Sequence, residues 1–315
     1  MTNARRVDLI GVPFNSDGTR DGVARAPAAL RAAGLVEALT ATPGEFRDCA
    51  DIAGGPGGPG GSVRDQRSGI IAPLALATMI RSVREAVAGS LADGALPLVV
   101  GGDCPVLIGC LGAVPGRQLP GLLFVDGHED AWQPHASTTG EAADMELGLL
   151  LGIASNDLPA ELRREIPLLD PDAVVGLGGR DHEELRRAGV ASIADRVETI
   201  GPDDLMADPG GVTGRVVDRL GGRGPWWLHV DLDVLSTASL DAVDYRQPGG
   251  LDWATLTTVT RRALADPKVA GWDVTIYNPD LDPDGVGARQ IVAYVAAALA
   301  PSLAPSLVPI PDGGS

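Results

Sequence analysis

Cysteine is scarce in this 315-residue chain, which holds only Cys49, Cys104 and Cys110. So sparse and odd a set excludes a disulfide framework and points to a reducing compartment. Basic charge is short as well. Lys and Arg together number 25 against 42 Asp and Glu, for a net charge of −17. Nucleic-acid binding needs a basic face, so this balance argues against such a partner. An acidic surface can attract cationic substrates, although its commonest service is solubility. No run reaches the ~18 apolar residues of a membrane span. The opening stretch MTNARRVDLIGVPF lacks the apolar core and cleavage site of a secretory leader. A cytoplasmic protein with no membrane partner is the expectation.

What is present is a regular alternation. Apolar residues make up 44% of the chain, enough for a sizeable core. Short apolar runs at 7–14, 96–100, 121–126, 172–177, 226–233 and 269–277 read as strands. Helical patterns lie at 26–35, 72–94, 143–153, 252–266 and 286–300. The runs are continuous rather than alternating, which suits parallel strands buried on both faces and joined by helical crossovers. The expected fold is one three-layer α/β/α domain over residues 1–300, with a mostly parallel sheet of seven or eight strands. A Gly/Pro-rich surface loop is expected at 54–61 and a Pro-rich extended tail at 301–315. The glycines of GGPGGPGG precede no helix start at the right spacing, so a dinucleotide fingerprint fails.

Open parallel sheets bind ligands beyond the carboxyl ends of their strands. There LLFVDGHEDAW sets Asp126, His128 and Asp130 two residues apart. If the strand stays extended, all three point the same way. WWLHVDLDVL repeats the pattern with Asp231 and Asp233. Asp-x-Asp at a strand end is often only a turn or helix cap. Both motifs together favour a cation, because an unpaired buried carboxylate is costly. Oxygen ligands with one imidazole suit Mn²⁺, with Zn²⁺ or Fe²⁺ as alternatives, and several carboxylates can bridge two ions about 3.5–4 Å apart. The four histidines are His128, His135, His182 and His229, one inside the first motif and one just before the second. In LPLVVGGDCPVLIG (96–109), Cys104 sits where a strand hands over to a helix. From the residues alone it is core filler, nucleophile or metal ligand.

Over nearly its full length the sequence resembles the arginase/agmatinase (ureohydrolase) family. The similarity is carried by GVPFNSDGTRDGVARAPAALRAAGL (11–35), VVGGDC, VDGHEDAW, HVDLDVL, GLGGRDHEE (176–184) and YRQPGGLDW (245–253). The resemblance implies an oligomer, a trimer or hexamer, with a binuclear manganese site. It implies hydrolysis of a C–N bond at a guanidinium-like carbon by metal-bound hydroxide, with Asp130 orienting the hydroxide and relaying a proton to the leaving amine. Asp126, His128, Asp130, Asp231 and Asp233 match family ligands. The sixth position, a histidine in typical members, is Cys104 here, which leaves one or two ions open.

Other departures bear on substrate. A glutamate that pairs with the guanidinium becomes Ile276, and a proton-shuttling histidine becomes Ala143. Asparagine becomes Glu141, and a small polar residue becomes Trp132. Glu129, Glu141, Asp144 and Glu146 are candidates to replace the missing glutamate, each also readable as a solvated loop or cap acid. Asp130 and Glu141 are the expected catalytic residues, with Thr139, Glu141, Trp132 and Glu183 against the substrate. The expected substrate is a small guanidino, hydroxyguanidino or formimino compound. The alternative is a catalytically impaired binding or assembly protein of the same family.

Overall fold

The computed structural model describes residues 5–52, 61–116, 119–153 and 157–300. The tail at 301–315 and, save Gly61, the loop expected at 54–61 lie outside the described residues. Eight strands form one sheet: β1 (Val7–Val12), β2 (Phe46–Asp51), β3 (Leu96–Gly101), β4 (Gly121–Val125), β5 (Val174–Leu177), β6 (Glu198–Ile200), β7 (Trp226–Asp231) and β8 (Val269–Thr275). Their order is β2-β1-β3-β8-β7-β4-β5-β6, and every pairing is parallel.

Alternation of side chains along each strand builds two apolar layers. Leu98, Val100, Leu123 and Val125 pack with Trp226 and Trp272 on one face. Val99, Leu122 and Phe124 pack with Trp227 and the helix Pro73–Ala92 on the other. β3, β4, β7 and β8 are buried at every position, which is why they read as continuous apolar runs. Among the described residues no helix is long and apolar enough to cross a membrane.

Several expectations shift in detail. The helix expected at 26–35 is two helices, Ala26–Ala32 and Leu35–Ala41, parted by Gly34 at φ 97°, a conformation that favours glycine. The pattern at 143–153 holds only a 3-10 turn, Ala142–Asp144, and a five-residue helix, Glu146–Leu150. Strands β2 and β6 lie at the two sheet edges; β2 is polar and largely exposed, β6 is only three residues long and partly exposed, and no apolar run announces either.

Near one edge, Asp8 is fully buried in β1 and ion-paired to Arg6 at 2.8 Å and to Arg47, with Ser90 donating at 2.8 Å. Burial alone would raise its pKa, but the hydrogen bonds from Arg6, Arg47 and Ser90 outweigh it and hold the group below the usual carboxylate range. A depressed folded-state pKa stabilises the fold above the unfolded value near 4 and loses that contribution as pH falls through the folded one. Asp8→Asn is therefore expected to cost about 2 kcal/mol at neutral pH, less than a fully buried pair because both guanidiniums reach water. Urea melts should show the gap closing as pH drops below about 4; a gap that persists in acid would rule the ion pairs out as its source.

Candidate metal centre

Cys104, the carboxylates after β4 and β7, and Ile276 all follow the four contiguous strands β3-β8-β7-β4 at their carboxyl ends. The backbone there is tightly fitted. A Cβ at Gly102 would lie 1.9 Å from the Phe14 carbonyl oxygen, so only glycine lets β3 turn into the Cys104 loop at this point.

The first motif converges for a different reason from the one its spacing suggests. β4 ends at Val125, and the chain turns instead of staying extended. Asp126 Oδ1 accepts from the His128 backbone N–H at 2.6 Å. Asp130 takes φ 40°, in the left-handed region. In the second motif, Asp231 Oδ1 accepts from the Asp233 N–H at 2.6 Å and caps the 3-10 turn Leu232–Val234. Each motif is thus a cap and a convergence at once. The cap uses one carboxylate oxygen and aims the other inward.

The inward atoms meet. His128 Nδ1 lies 2.9 Å from Asp233 Oδ2 and 3.7 Å from Asp126 Oδ1. Cys104 Sγ donates to Asp231 Oδ2 at 2.7 Å and lies 3.2 Å from Thr275 Oγ1. Asp233 Oδ1 accepts from the Gly127 N–H at 3.1 Å. Asp126 Oδ2, His229 Nε2 and both oxygens of Glu146 are buried without a hydrogen-bond partner of good geometry. Asp126, His128 and Asp233 each offer a ligand atom within 4.8 Å of the others, as do Cys104, His229 and Asp231, and Asp126, Glu146 and His229.

Such crowding forces protons onto the site. Burial, the Asp126 charge and Glu146 push Asp130 far up; burial with Asp233 and Asp126 does the same to Asp231. Burial raises Glu146 too, with Asp126 adding to it, and raises the Cys104 thiol with Asp231 adding to it. Asp126 is the exception. Burial would lift it, but the neighbouring imidazoles of His128 and His229 bring it well below the usual range. Carboxylates with orphaned oxygens and raised pKa values fit a divalent cation, whose charge would let them ionise.

Above the cluster opens a cavity of about 260 Å³ lined by His128, Asp130, Trp132, Thr138, Thr139, Ala143, Asp144, Asp181, Glu184, Asp231, Asp233, Tyr245, Arg246, Gln247 and Ile276. Its size suits a small molecule. Asp130, Tyr245 and Ile276 are three of five non-glycine residues with positive φ among the described residues, so backbone strain concentrates at this pocket. Acids dominate the lining, and burial raises the pKa of Asp181 to about 6.

The remaining candidates are placed unevenly. Trp132 and Thr139 line the cavity, and the Thr139 hydroxyl donates to Asp144 at 2.8 Å. Glu141 stands behind Tyr245, accepting from its hydroxyl at 2.6 Å, and does not line the cavity itself. Glu183 is not in the pocket: it is exposed and ion-paired to Arg186 and Arg187, while its neighbour Glu184 takes the lining position. Glu129 is also turned away, accepting from Ser192 Oγ and the Ile193 N–H at 2.6 Å each, so it cannot replace a guanidinium partner. Asp144, one of the acids named as a candidate for the missing glutamate, does line the cavity. Asp181 and Tyr245 fall inside the family-like segments 176–184 and 245–253, but nothing in their local pattern singles them out.

The profile of the Arginase family matches residues 5–304. An arginase of Staphylococcus aureus is 25% identical over 298 residues, 94% of this chain and 97% of that protein. The N(omega)-hydroxy-L-arginine amidinohydrolase of Streptomyces lavendulae is 28% identical over 280 residues, 87% of this chain and 93% of that one. The solved arginase of Bacillus caldovelox matches with a TM-score of 0.80 at 24% identity, covering 95% of this chain and all of that one (100%), a likeness of fold.

Chelator-treated protein should gain stability with Mn²⁺, by about 2.7 kcal/mol at a hundredfold excess over Kd. Asp231→Asn removes one crowded carboxylate, so the metal-free variant should melt no lower than the wild type while losing most of the Mn²⁺ shift. Equal shifts in paired melts would exclude this carboxylate from the cation site.

Proposed function

This chain belongs to the arginase family, and from that premise we propose that it is a metal-dependent hydrolase of a C–N bond in a small guanidino-type compound. The observation that carries the proposal is the cluster of ligand atoms on Asp126, His128, Asp231 and Asp233, beneath a small acidic cavity that His128, Asp130, Asp231 and Asp233 line. Asp126, His128, Asp130, Asp231 and Asp233 would hold the metal, with Cys104 at the sixth position. Manganese suits this oxygen-rich set, with two ions expected and one allowed by the thiol. Bound there, divalent ions supply a Lewis acid and lower the pKa of water.

Asp130 has the attributes of a proton carrier. It lines the cavity, and burial beside Asp126 and Glu146 raises the affinity of its carboxylate for a proton released at the site. It would take a proton as water's oxygen bonds to the amidine carbon and return one to the nitrogen as the C–N bond breaks. Asp144, Asp181 and Glu184 make the cavity attractive to a cation, and Arg246, the basic residue of the lining, is paired to Asp241 at 3.0 Å. Glu141 would act through Tyr245, fixing the phenol that faces the substrate.

The family departures Trp132, Ala143 and Ile276 all line this one cavity. Their convergence supports a substrate other than plain arginine, of the hydroxyguanidino or formimino kind. The relative from Streptomyces lavendulae, by its name, acts on a hydroxylated arginine. The same reading takes residues 1–300 as one catalytic domain that works in a cytoplasmic homo-oligomer.

Mn²⁺-loaded protein is expected to turn over at least one member of a guanidino, hydroxyguanidino and formimino panel. Silence across the whole panel would favour a binding or assembly role. Asp130→Asn should lower kcat by roughly 10²–10⁴-fold, the range of a lost general acid–base. Ile276→Glu should lower KM for guanidino compounds by returning a carboxylate to the lining; an unchanged KM would show that position 276 does not face the guanidinium.

A further inference from the structure

One histidine lies in this centre outside the six-residue set. His229 is fully buried in β7, two residues before Asp231 and so on the same face of the strand. Two contacts hold its ring. Nδ1 is 2.6 Å from Asp273 Oδ2, and Asp273 Oδ1 in turn accepts from Trp227 Nε1 at 2.6 Å. The ring stacks on Phe124 at 4.8 Å between centroids. The other ring nitrogen, Nε2, has no hydrogen-bond partner. It lies 3.8 Å from Asp126 Oδ2, which has none either. Glu146, fully buried at the start of its short helix, adds two more orphaned oxygens.

We propose that His229 Nε2 and the Glu146 carboxylate are ligands of an inner divalent-cation position shared with Asp126 and bordered by Asp231 and Cys104. The histidine absent at position 104 is thereby supplied from β7, the strand that already carries Asp231. This rests on the metal-dependent reading above and adds two ligands that the family motifs do not contain.

The contact distances support a shared ion over a bare ion pair. An imidazolium hydrogen-bonded to a carboxylate closes to about 2.7–2.9 Å, as His229 does with Asp273 on its other side. The 3.8 Å gap to Asp126 is too long for that. It suits two donors of one ion, because bonds of about 2.1 Å meeting at ordinary angles leave roughly 3–4 Å between ligand atoms. The donor atoms of His229, Asp126 and Glu146 all lie within 4.8 Å of one another. Asp273 plays the part usual for a carboxylate behind a ligating histidine. It holds the proton on Nδ1, orients the ring and leaves the Nε2 lone pair free. Charge also balances: a neutral imidazole and two carboxylates neutralise a divalent ion. Cys104 can then remain a thiol, donating to Asp231 as it does here.

The experiment compares wild type, His229→Gln, Glu146→Gln, Asp273→Asn and Cys104→Ala, each stripped and reloaded with Mn²⁺. The readouts are metal per chain after gel filtration, and pulsed EPR for imidazole nitrogen couplings. Wild type should hold two ions and show coupling from His128 and His229. His229→Gln and Glu146→Gln should each hold one ion, with inner-site affinity down at least a hundredfold, and His229→Gln should lose one nitrogen coupling. Asp273→Asn should weaken the inner site by ten- to a hundredfold, and Cys104→Ala should weaken it less than His229→Gln. Glu146→Gln is nearly isosteric and carries the test should the His229 variant fail to fold. Two ions held with wild-type affinity and couplings in both ligand variants would overturn the inner site while leaving metal dependence intact. No metal on the wild type would overturn both readings.

Discussion

Buried negative charge is the constraint on which the active end of this protein depends. Asp126, Asp130, Glu146, Asp231 and Asp233 are all buried at the carboxyl end of the sheet's central strands. Five carboxylates so close together cannot all ionise without positive charge among them. The fold relieves part of the strain itself. Backbone N–H groups take one oxygen each of Asp126, Asp231 and Asp233, and the imidazoles of His128 and His229 stand beside Asp126. Arg180 adds a guanidinium against the Asp233 carbonyl at 2.7 Å. What remains is a ring of inward oxygens that only protons or cations can neutralise. The parallel topology makes this possible, because it stacks four strand ends side by side and lets each loop contribute a short polar turn.

Much of this was legible in the sequence. The four central strands announce themselves because burial on both faces leaves no polar alternation to blur them. Edge strand β2, with the sequence FRDCAD, has no such constraint on its outer side and so no apolar signal. The two Asp motifs were also visible, but the reason for their convergence was not. Period-two geometry holds for His229 and Asp231 within β7, whereas Asp126, His128 and Asp130 come together through a turn and a left-handed residue. His229 was hidden by its own strand. Within an unbroken apolar run, a histidine reads as a core residue until the fold reveals that Asp273 stands behind it. Glu146 was obscured because an acid in the first turn of a helix has an ordinary explanation as a cap-region charge. Glu183 and Glu184 could not be told apart, since adjacent helical positions face different ways and the helix lies outside any apolar pattern.

The cavity and the carboxylate cluster beneath it follow separate rules. Residues of the floor are locked by backbone hydrogen bonds and by one another, so a change in any of them is felt by the rest. Residues of the walls, such as Trp132 and Ala143, line the cavity, and the Trp132 N–H donates to the carbonyl of another wall residue, Asp144, at 3.1 Å.

Ile276 illustrates what that separation permits. It holds a φ of 70°, an unfavourable conformation for a β-branched residue. The backbone nonetheless stays there, because the Ile276 N–H donates to the Gly102 carbonyl at 2.8 Å and the Gly102 N–H donates to Val12 at 2.9 Å. This main-chain stitch ties the ends of β8, β3 and β1 together whatever side chain position 276 carries. A residue whose location is set by its backbone can exchange one chemistry for another without disturbing the charged floor beneath. A change of side chain at such a wall position can therefore alter what the cavity meets while leaving the buried carboxylates beneath it in place.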